Sequence, residues 1–189
     1  MKKRFAFPVL ICLLFVNVQV AQSQYSIAPP EGYSTQVGNL VAMLEDLKGR
    51  VTRSVAELSP EQTDFLLDER ANRIGALIYH LAATEKYYQV YTFEGRQFNP
   101  EEVAMWDTAL RLGDNAREQL VSQPITYYLN LWGEVRANTL RLLKEKDDAW
   151  LATTALGGGM DNHWAWYHVM EHQANHMGQI RLIMGRMDR

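Results

Sequence analysis

The sequence predicts an all-α fold, a four-helix bundle with a short broken helical segment between the second and third long helices. Three observations support this fold class. Apolar residues recur at alternating steps of three and four along several segments, the pattern of amphipathic helices. No segment shows the alternation of apolar and polar residues that is typical of a half-buried strand. Stretches with Pro and Gly separate the helical segments.

The first two long helices are predicted on either side of a Ser-Pro stop. The apolar stripe of the first consists of Val37, Leu40, Leu44, Leu47, Val51, Val55 and Leu58. Ser59 and Pro60 end it, because the residue before a proline is disfavoured in the helical conformation. The second helix is predicted from about Arg70 to Thr92, and "FEGRQFNPEE" then breaks the pattern. The apolar side of the second helix carries Ile74, Leu77, Leu81 and Tyr88.

The broken segment and the last two long helices complete the bundle. Residues 101–121 are predicted as helix interrupted by "LGDN". The third long helix follows Pro124, with basic residues at its C-terminal end, where cations are favourable. "LGGGMDN" is predicted as a loop, and Asp161 as the N-cap of a fourth helix that runs to about Arg186. The architecture predicted is a bundle.

The first 23 residues have the three parts of a secretory signal peptide. A basic start precedes an apolar run and the small-x-small site Ala21-Gln22-Ser23. The alternative is an uncleaved anchor, but Asn17 and Gln19 interrupt the apolar run. We therefore expect signal peptide 1–23, a flexible lead-in 24–33 and a single domain 34–189, exported to the periplasm or the extracellular space. After cleavage we expect no attachment to a membrane.

Charge and cysteine content exclude several kinds of chemistry. Removing three basic residues from 19 leaves 16 Lys and Arg against 22 Asp and Glu, a net charge of −6. An acidic surface repels a phosphate backbone, so no nucleic-acid partner is expected. Cleavage also removes Cys12, the only cysteine, which excludes disulfides and thiolate ligands. Metal or nucleophile chemistry must then come from His, carboxylate or hydroxyl groups.

Four of the five histidines lie between residues 163 and 176. At about 100° per residue, His172 and His176 fall on the same apolar face as Val169, whereas His168 lies at its edge and His163 on the far side. Imidazoles spaced i, i+4 can converge on one metal ion. The alternative is that each histidine is a core residue with a hydrogen bond to a neighbouring helix.

His80, the fifth histidine, lies at the margin of the apolar stripe of the second helix. If that helix packs against the fourth, three neutral imidazoles can surround one ion and leave a coordination position free. That arrangement is typical of a reactive metal ion. The zinc-protease pattern HExxH is absent.

Two segments carry a resemblance to a known family. "EHQANHMGQI" resembles the fourth-helix signature of the DinB/YfiT-like metalloenzymes, and "IYHLAATEKYY" is similar to their second-helix segment. The resemblance extends loosely over residues 34–186. It implies a DinB-like four-helix bundle, often dimeric, that binds a divalent ion such as zinc or nickel through His80, His172 and His176. Some relatives are thiol-dependent transferases or isomerases.

The functional expectation is a metal-dependent hydrolase or transferase that acts on a small molecule of unknown identity. The alternative is a non-catalytic binding or assembly module of the same fold. His168 is a candidate for a spare ligand or for orienting a ligand, and the alternative is a polar residue at the edge of the apolar stripe. Gln179 is a candidate for a hydrogen bond to a ligand or to a bound water. Glu85 and Glu171 are candidates for general bases, but the sequence favours solvated helix positions for both.

Overall fold

The computed structural model describes residues 26–187, so the expected signal peptide 1–23 lies outside the described residues. Within that range the protein is helical, without a strand. Its α-helices are α1 Thr35–Val55, α2 Pro60–Thr63, α3 Ile74–Gln89, α4 Pro100–Arg111, α5 Gly113–Gln119, α6 Ile125–Lys144, α7 Asp148–Leu151 and α8 Asn162–Met187. None of them combines the length and the apolar character needed to cross a bilayer.

Four long helices, α1, α3, α6 and α8, form the bundle. Helix α3 packs against α6 and α8, and α1 packs against the same two helices, which closes a ring of four. The predicted all-α four-helix bundle is confirmed. The broken segment between the second and third long helices is also present, as α4 and α5 on either side of Leu112.

Helix α3 is the most deeply buried helix of the bundle. Its side chains are buried on almost every side, because α4 covers the face that α6 and α8 leave open. This burial explains why the sequence of α3 is apolar on nearly every side of the helix. Few of its positions can carry a polar side chain that reaches solvent. Polar groups on α3 are therefore enclosed by neighbouring helices.

The boundaries of the second long helix differ from the prediction. It begins at Ile74 and not near Arg70, because the Asp68 carboxylate accepts hydrogen bonds from the amides of Arg70 and Ala71 and holds that segment as a turn. It continues beyond Gln89 as a π-helical turn, Val90–Glu94, and Gly95 with φ 62° ends it. The expectation for Asp161 is met, because its side chain accepts a hydrogen bond from the Trp164 amide at 2.7 Å.

Candidate metal centre

The structure brings together the three histidines that the sequence predicts as metal ligands. His172 and His176 lie one turn apart on α8, and His80 faces them from α3. The Nε2 atom of His172 lies 3.0 Å from that of His80 and 3.1 Å from that of His176. One ligand nitrogen from each residue lies within 4.8 Å of the others.

Burial keeps these imidazoles neutral. His80 and His176 are buried and His172 is half-buried. Loss of solvation lowers the pKa of His80 to about 4 and that of His172 to about 3, and it lowers the pKa of His176 as well. Metal ligands must be neutral imidazoles, so at neutral pH the three side chains are already in the form that binds an ion.

Two of the three rings are held by hydrogen bonds on their outer nitrogens. His80 Nδ1 donates to the carbonyl of Ala109 at 2.8 Å, and His176 Nδ1 donates to Gln179 Oε1 at 2.9 Å. A proton on Nδ1 leaves the lone pair on Nε2, which faces the centre of the cluster. His172 differs, because its Nδ1 is buried without a hydrogen-bond partner.

The break after α4 supplies the partner of His80. Ala109 lies in the last turn of α4, where carbonyl groups lack amide partners within the helix. The helix ends there, because Leu112 adopts φ 56° and Gly113 φ 77°. The segment that interrupts the sequence pattern therefore positions a metal-ligand candidate.

The donor set fits a divalent ion. Zn–N bonds of about 2.0–2.1 Å in a tetrahedron place nitrogen ligands about 3.3 Å apart. The Nε2 separations of 3.0 and 3.1 Å are close to this value. Three imidazole nitrogens suit zinc or nickel and leave one position for water or substrate. The residues present could thus hold the ion that the sequence leads us to expect.

The other candidates occupy the rim of this cluster. Gln179 is exposed, but its side-chain carbonyl contacts His176, as a ligand-orienting residue does. His168 stacks on Trp164, with ring centroids 5.1 Å apart, and its Nδ1 lies 3.4 Å from Glu171. Its ring centroid is 5.7 Å from that of His172, so His168 lies beside the group of converging nitrogens.

The prediction that Glu85 is solvated is wrong. Its side chain is fully buried and accepts hydrogen bonds from Arg136 Nε at 2.7 Å, Trp132 Nε1 at 3.0 Å and Thr139 Oγ1 at 2.6 Å. Burial alone would raise the pKa of Glu85, but the Arg136 guanidinium and these hydrogen bonds hold it below its usual value. The signal was present in the sequence, because Glu85 lies four residues after Leu81, within the apolar stripe.

The Glu85 network extends toward the histidines through Gln173. This buried residue, next to His172 on α8, places its Nε2 3.4 Å from Glu85 Oε2, while its Oε1 has no hydrogen-bond partner. Sequence reasoning missed Gln173 because an amide in an apolar helix has no distinctive spacing. Its burial becomes evident only when α3 and α8 are packed together.

Comparison with known proteins identifies a family. A family model described as Mycothiol-S-transferase (MST) matches residues 39–189, more than half of the chain. The matched range includes the three histidines and also Ala109 and Gln179, which accept hydrogen bonds from two of them. No curated protein matches the chain. The resemblance seen in the sequence is confirmed, and the chain belongs to the mycothiol-S-transferase family, a DinB-like family of metal-dependent transferases and hydrolases.

Proposed function

We propose that this protein is a metal-dependent transferase that holds a divalent ion, zinc or nickel, on His80, His172 and His176. The proposal is supported by three neutral imidazoles that each place one ligand nitrogen within 4.8 Å of the others, with His172 Nε2 3.0 and 3.1 Å from the Nε2 atoms of His80 and His176. When bound, such an ion supplies Lewis acidity, which polarises a substrate oxygen or favours the deprotonated form of a thiol or water. The role of the protein residues is to remain neutral, to fix the three rings and to leave one coordination position open.

A low-molecular-weight thiol is the proposed nucleophile, because the family model is described as a thiol transferase. Three uncharged ligands leave the full charge of the ion to stabilise a thiolate. The thiol sulfur would form a bond to an electrophilic carbon of a small substrate, and the leaving group would depart with its electron pair. The thiol proton passes to solvent.

A second candidate, hydrolysis, is favoured by the N-terminal segment. The basic start and the apolar run of residues 1–23 support export. Low-molecular-weight thiols belong to reducing compartments, so an exported member of the family would use water as its nucleophile. Localisation and choice of nucleophile are therefore linked. Fractionation of cells that produce the full-length chain, with mass determination of the N-terminus, tests the export proposal.

Metal analysis tests the site. Protein purified without a His tag should contain about one equivalent of zinc or nickel, as a single three-histidine site requires. The His172→Ala/His176→Ala variant should contain none. Less than half an equivalent in the wild type, unchanged in the variant, would exclude the site and leave the non-catalytic module as the better description.

A nucleophile assay separates the two reactions. Zinc-loaded protein is mixed with mycothiol and an alkyl halide, and the loss of free thiol is followed; a p-nitrophenyl ester without thiol is assayed in parallel. Thiol loss that needs both zinc and the histidines supports the transferase. Ester cleavage without thiol supports the hydrolase. The His172→Ala/His176→Ala variant provides the background rate for both.

A homodimer is part of the proposal, because the DinB/YfiT-like resemblance implies a bundle that is often dimeric. The outer face of α8 exposes Tyr167 and Leu182, at 47% and 54% of their surface, and apolar side chains of this size are candidates for covering by a second copy. Light scattering on the purified protein gives the mass. A monomer at micromolar concentration would contradict the dimer without affecting the metal site.

A further inference from the structure

His172 is the one histidine of the cluster whose outer nitrogen has no partner. Its Nδ1 is buried, whereas the outer nitrogens of His80 and His176 are held by Ala109 and Gln179. A neutral imidazole that coordinates through Nε2 carries its proton on Nδ1, so a bound ion makes this nitrogen a hydrogen-bond donor. A buried donor without an acceptor is costly, and an acceptor is therefore required.

The antiparallel register of α3 and α8 places Thr84 opposite His172. His80 contacts both His172 and His176, with ring centroids 4.7 and 4.8 Å apart, and Tyr88 contacts His168, with centroids 5.9 Å apart. Thr84 lies midway between His80 and Tyr88 on α3, and the turn of α8 that faces this segment runs from His168 to His172. Thr84 and His172 therefore occupy facing turns at the level of the metal site.

The Thr84 hydroxyl is itself unpartnered. Thr84 is 6% exposed, and its Oγ1 makes no hydrogen bond. A helical threonine commonly donates to the carbonyl four residues earlier. Thr63 and Thr92 do so, at 2.8 and 2.6 Å. Thr84 departs from this pattern, so its hydroxyl is free both to accept and to donate.

A third unpartnered atom, Gln173 Oε1, completes a matched set. It is an acceptor, it belongs to the residue after His172, and the amide nitrogen of the same side chain lies 3.4 Å from the Glu85 carboxylate. The set thus consists of one donor, one group that accepts and donates, and one acceptor. All three are buried on facing turns of α3 and α8.

We infer that Thr84 is a positioning residue for His172 in the metal-bound protein. His172 Nδ1 donates to Thr84 Oγ1, directly or through one buried water, and the Thr84 hydroxyl donates to Gln173 Oε1. Gln173 in turn donates to Glu85, whose charge Arg136 neutralises. The inference rests on the proposed three-histidine site. In this relay of hydrogen bonds, from His172 through Thr84 and Gln173 to Glu85, the buried Glu85–Arg136 pair is the end that does not move. The relay sets the orientation of the His172 ring.

Zinc affinity of threonine variants tests the relay. Removal of such outer partners typically weakens metal binding about 10- to 100-fold, so we expect a loss of this size in Thr84→Val, measured by competition with a chromophoric chelator. Thr84→Ser keeps the hydroxyl and should bind zinc as the wild type does. Thr52→Val is the matched control, because Thr52 is also a helical threonine with a buried, unpartnered hydroxyl, but it lies on α1.

Stability of the metal-free protein separates positioning from folding. Thr84→Val removes an unpartnered hydroxyl, so the metal-free variant should be as stable as the wild type or more stable. In the zinc form, nitrogen-edited NMR should show a slowly exchanging Nδ1 proton on His172 that disappears in Thr84→Val. Equal zinc affinity of Thr84→Val and wild type would overturn the relay and leave the metal site intact. Failure of the wild type to bind zinc would overturn both proposals.

Discussion

The Glu85–Arg136 ion pair lies inside the bundle, with side chains 0% and 3% exposed. Removing one charge of a buried pair leaves the other uncompensated, which typically costs 3–5 kcal/mol. We therefore expect Glu85→Gln to lower the free energy of unfolding by about 3 kcal/mol, measured by urea denaturation of metal-free protein.

Asp107→Asn provides the control for this change. Asp107 pairs with Arg111 on α4 at 2.9 Å, but the arginine side chain is 77% exposed. Exposed pairs contribute less than about 1 kcal/mol, so the effect of Asp107→Asn should be small. A loss in Glu85→Gln no larger than that in Asp107→Asn would show that the buried pair does not stabilise the fold.

The buried histidines predict how stability depends on pH in metal-free protein. Burial lowers the pKa of His80 from 6.5 to about 4 and that of His172 from 6.5 to about 3. Between pH 6.5 and 4 the unfolded chain binds protons that the folded chain does not, so the free energy of unfolding should fall as the pH is lowered through this range. Melting temperatures at pH 7, 5.5 and 4 measure the effect. The His80→Gln/His172→Gln variant should show a shallower decline, and an equal decline would contradict the assignment.

At the scale of single residues, the sequence predicts a shared position correctly where the spacing of residues within one helix determines it. His172 and His176 share a helix, so their common face follows from helical geometry. His80 could be joined to them only on the condition that its helix packs against α8, which its place at the margin of an apolar stripe and the family resemblance favour but helical spacing does not decide. Glu85 was assigned to solvent because carboxylates are usually exposed. Its burial depends on Arg136, which lies 51 residues further along the chain.

Two helical glycines give opposite predictions at the scale of elements. A Cβ on Gly75, in α3, would lie 2.9 Å from Tyr128 Cζ and 3.0 Å from Thr63 Cγ2. Gly75→Ala should therefore destabilise the packing of α3 on α6 by about 1–3 kcal/mol. A Cβ on Gly178, in α8, would meet nothing within 4 Å. Gly178→Ala should raise the free energy of unfolding by up to about 1 kcal/mol, the difference in helix propensity. Chemical denaturation of both variants checks the signs, and two changes of the same sign would contradict the prediction.

Helix boundaries were predictable where neighbouring residues in the sequence determine them. Ser59 and Pro60 disfavour continuation of a helix, and α1 ends before them at Val55. The start of α3 was misplaced because the Asp68 side chain competes for amides that a helix would use. The π-helical turn Val90–Glu94 has no sequence signature. It arises where Trp166 of α8 donates a hydrogen bond to Thr92, a contact between distant parts of the chain.

At the scale of the whole molecule, a bound ion would join α3 to α8. Ligands from two helices become one site only in the folded chain, so binding stabilises the fold by linkage, by about 4 kcal/mol at a thousandfold excess over Kd. Zinc should accordingly raise the melting temperature of the wild type. It should leave that of His172→Ala/His176→Ala unchanged, as calorimetry with and without zinc can show. No shift in the wild type would favour the non-catalytic module.

The number of long helices could be predicted from apolar periodicity, but their arrangement could not. Each apolar stripe shows that one face of its helix is buried. It does not show which other helix packs against that face. The structure supplies the missing pairing, in which α3 and α8 are adjacent and α4 covers the remaining side of α3. This pairing turns three histidines on two distant segments into one cluster.

The carbonyl of Ala109 holds His80, and a main-chain atom cannot be removed by substitution. Every amino acid at position 109 presents the same oxygen, so the orientation of His80 depends on the path of the chain after α4. The contact of His176 depends on the side chain of Gln179, which a single nucleotide change can alter. Among homologous sequences, the two contacts should therefore diverge differently. A small residue should persist at position 109, because Ala109 is buried, and any such residue keeps the carbonyl that holds His80, whereas a change of side chain at position 179 removes the contact with His176.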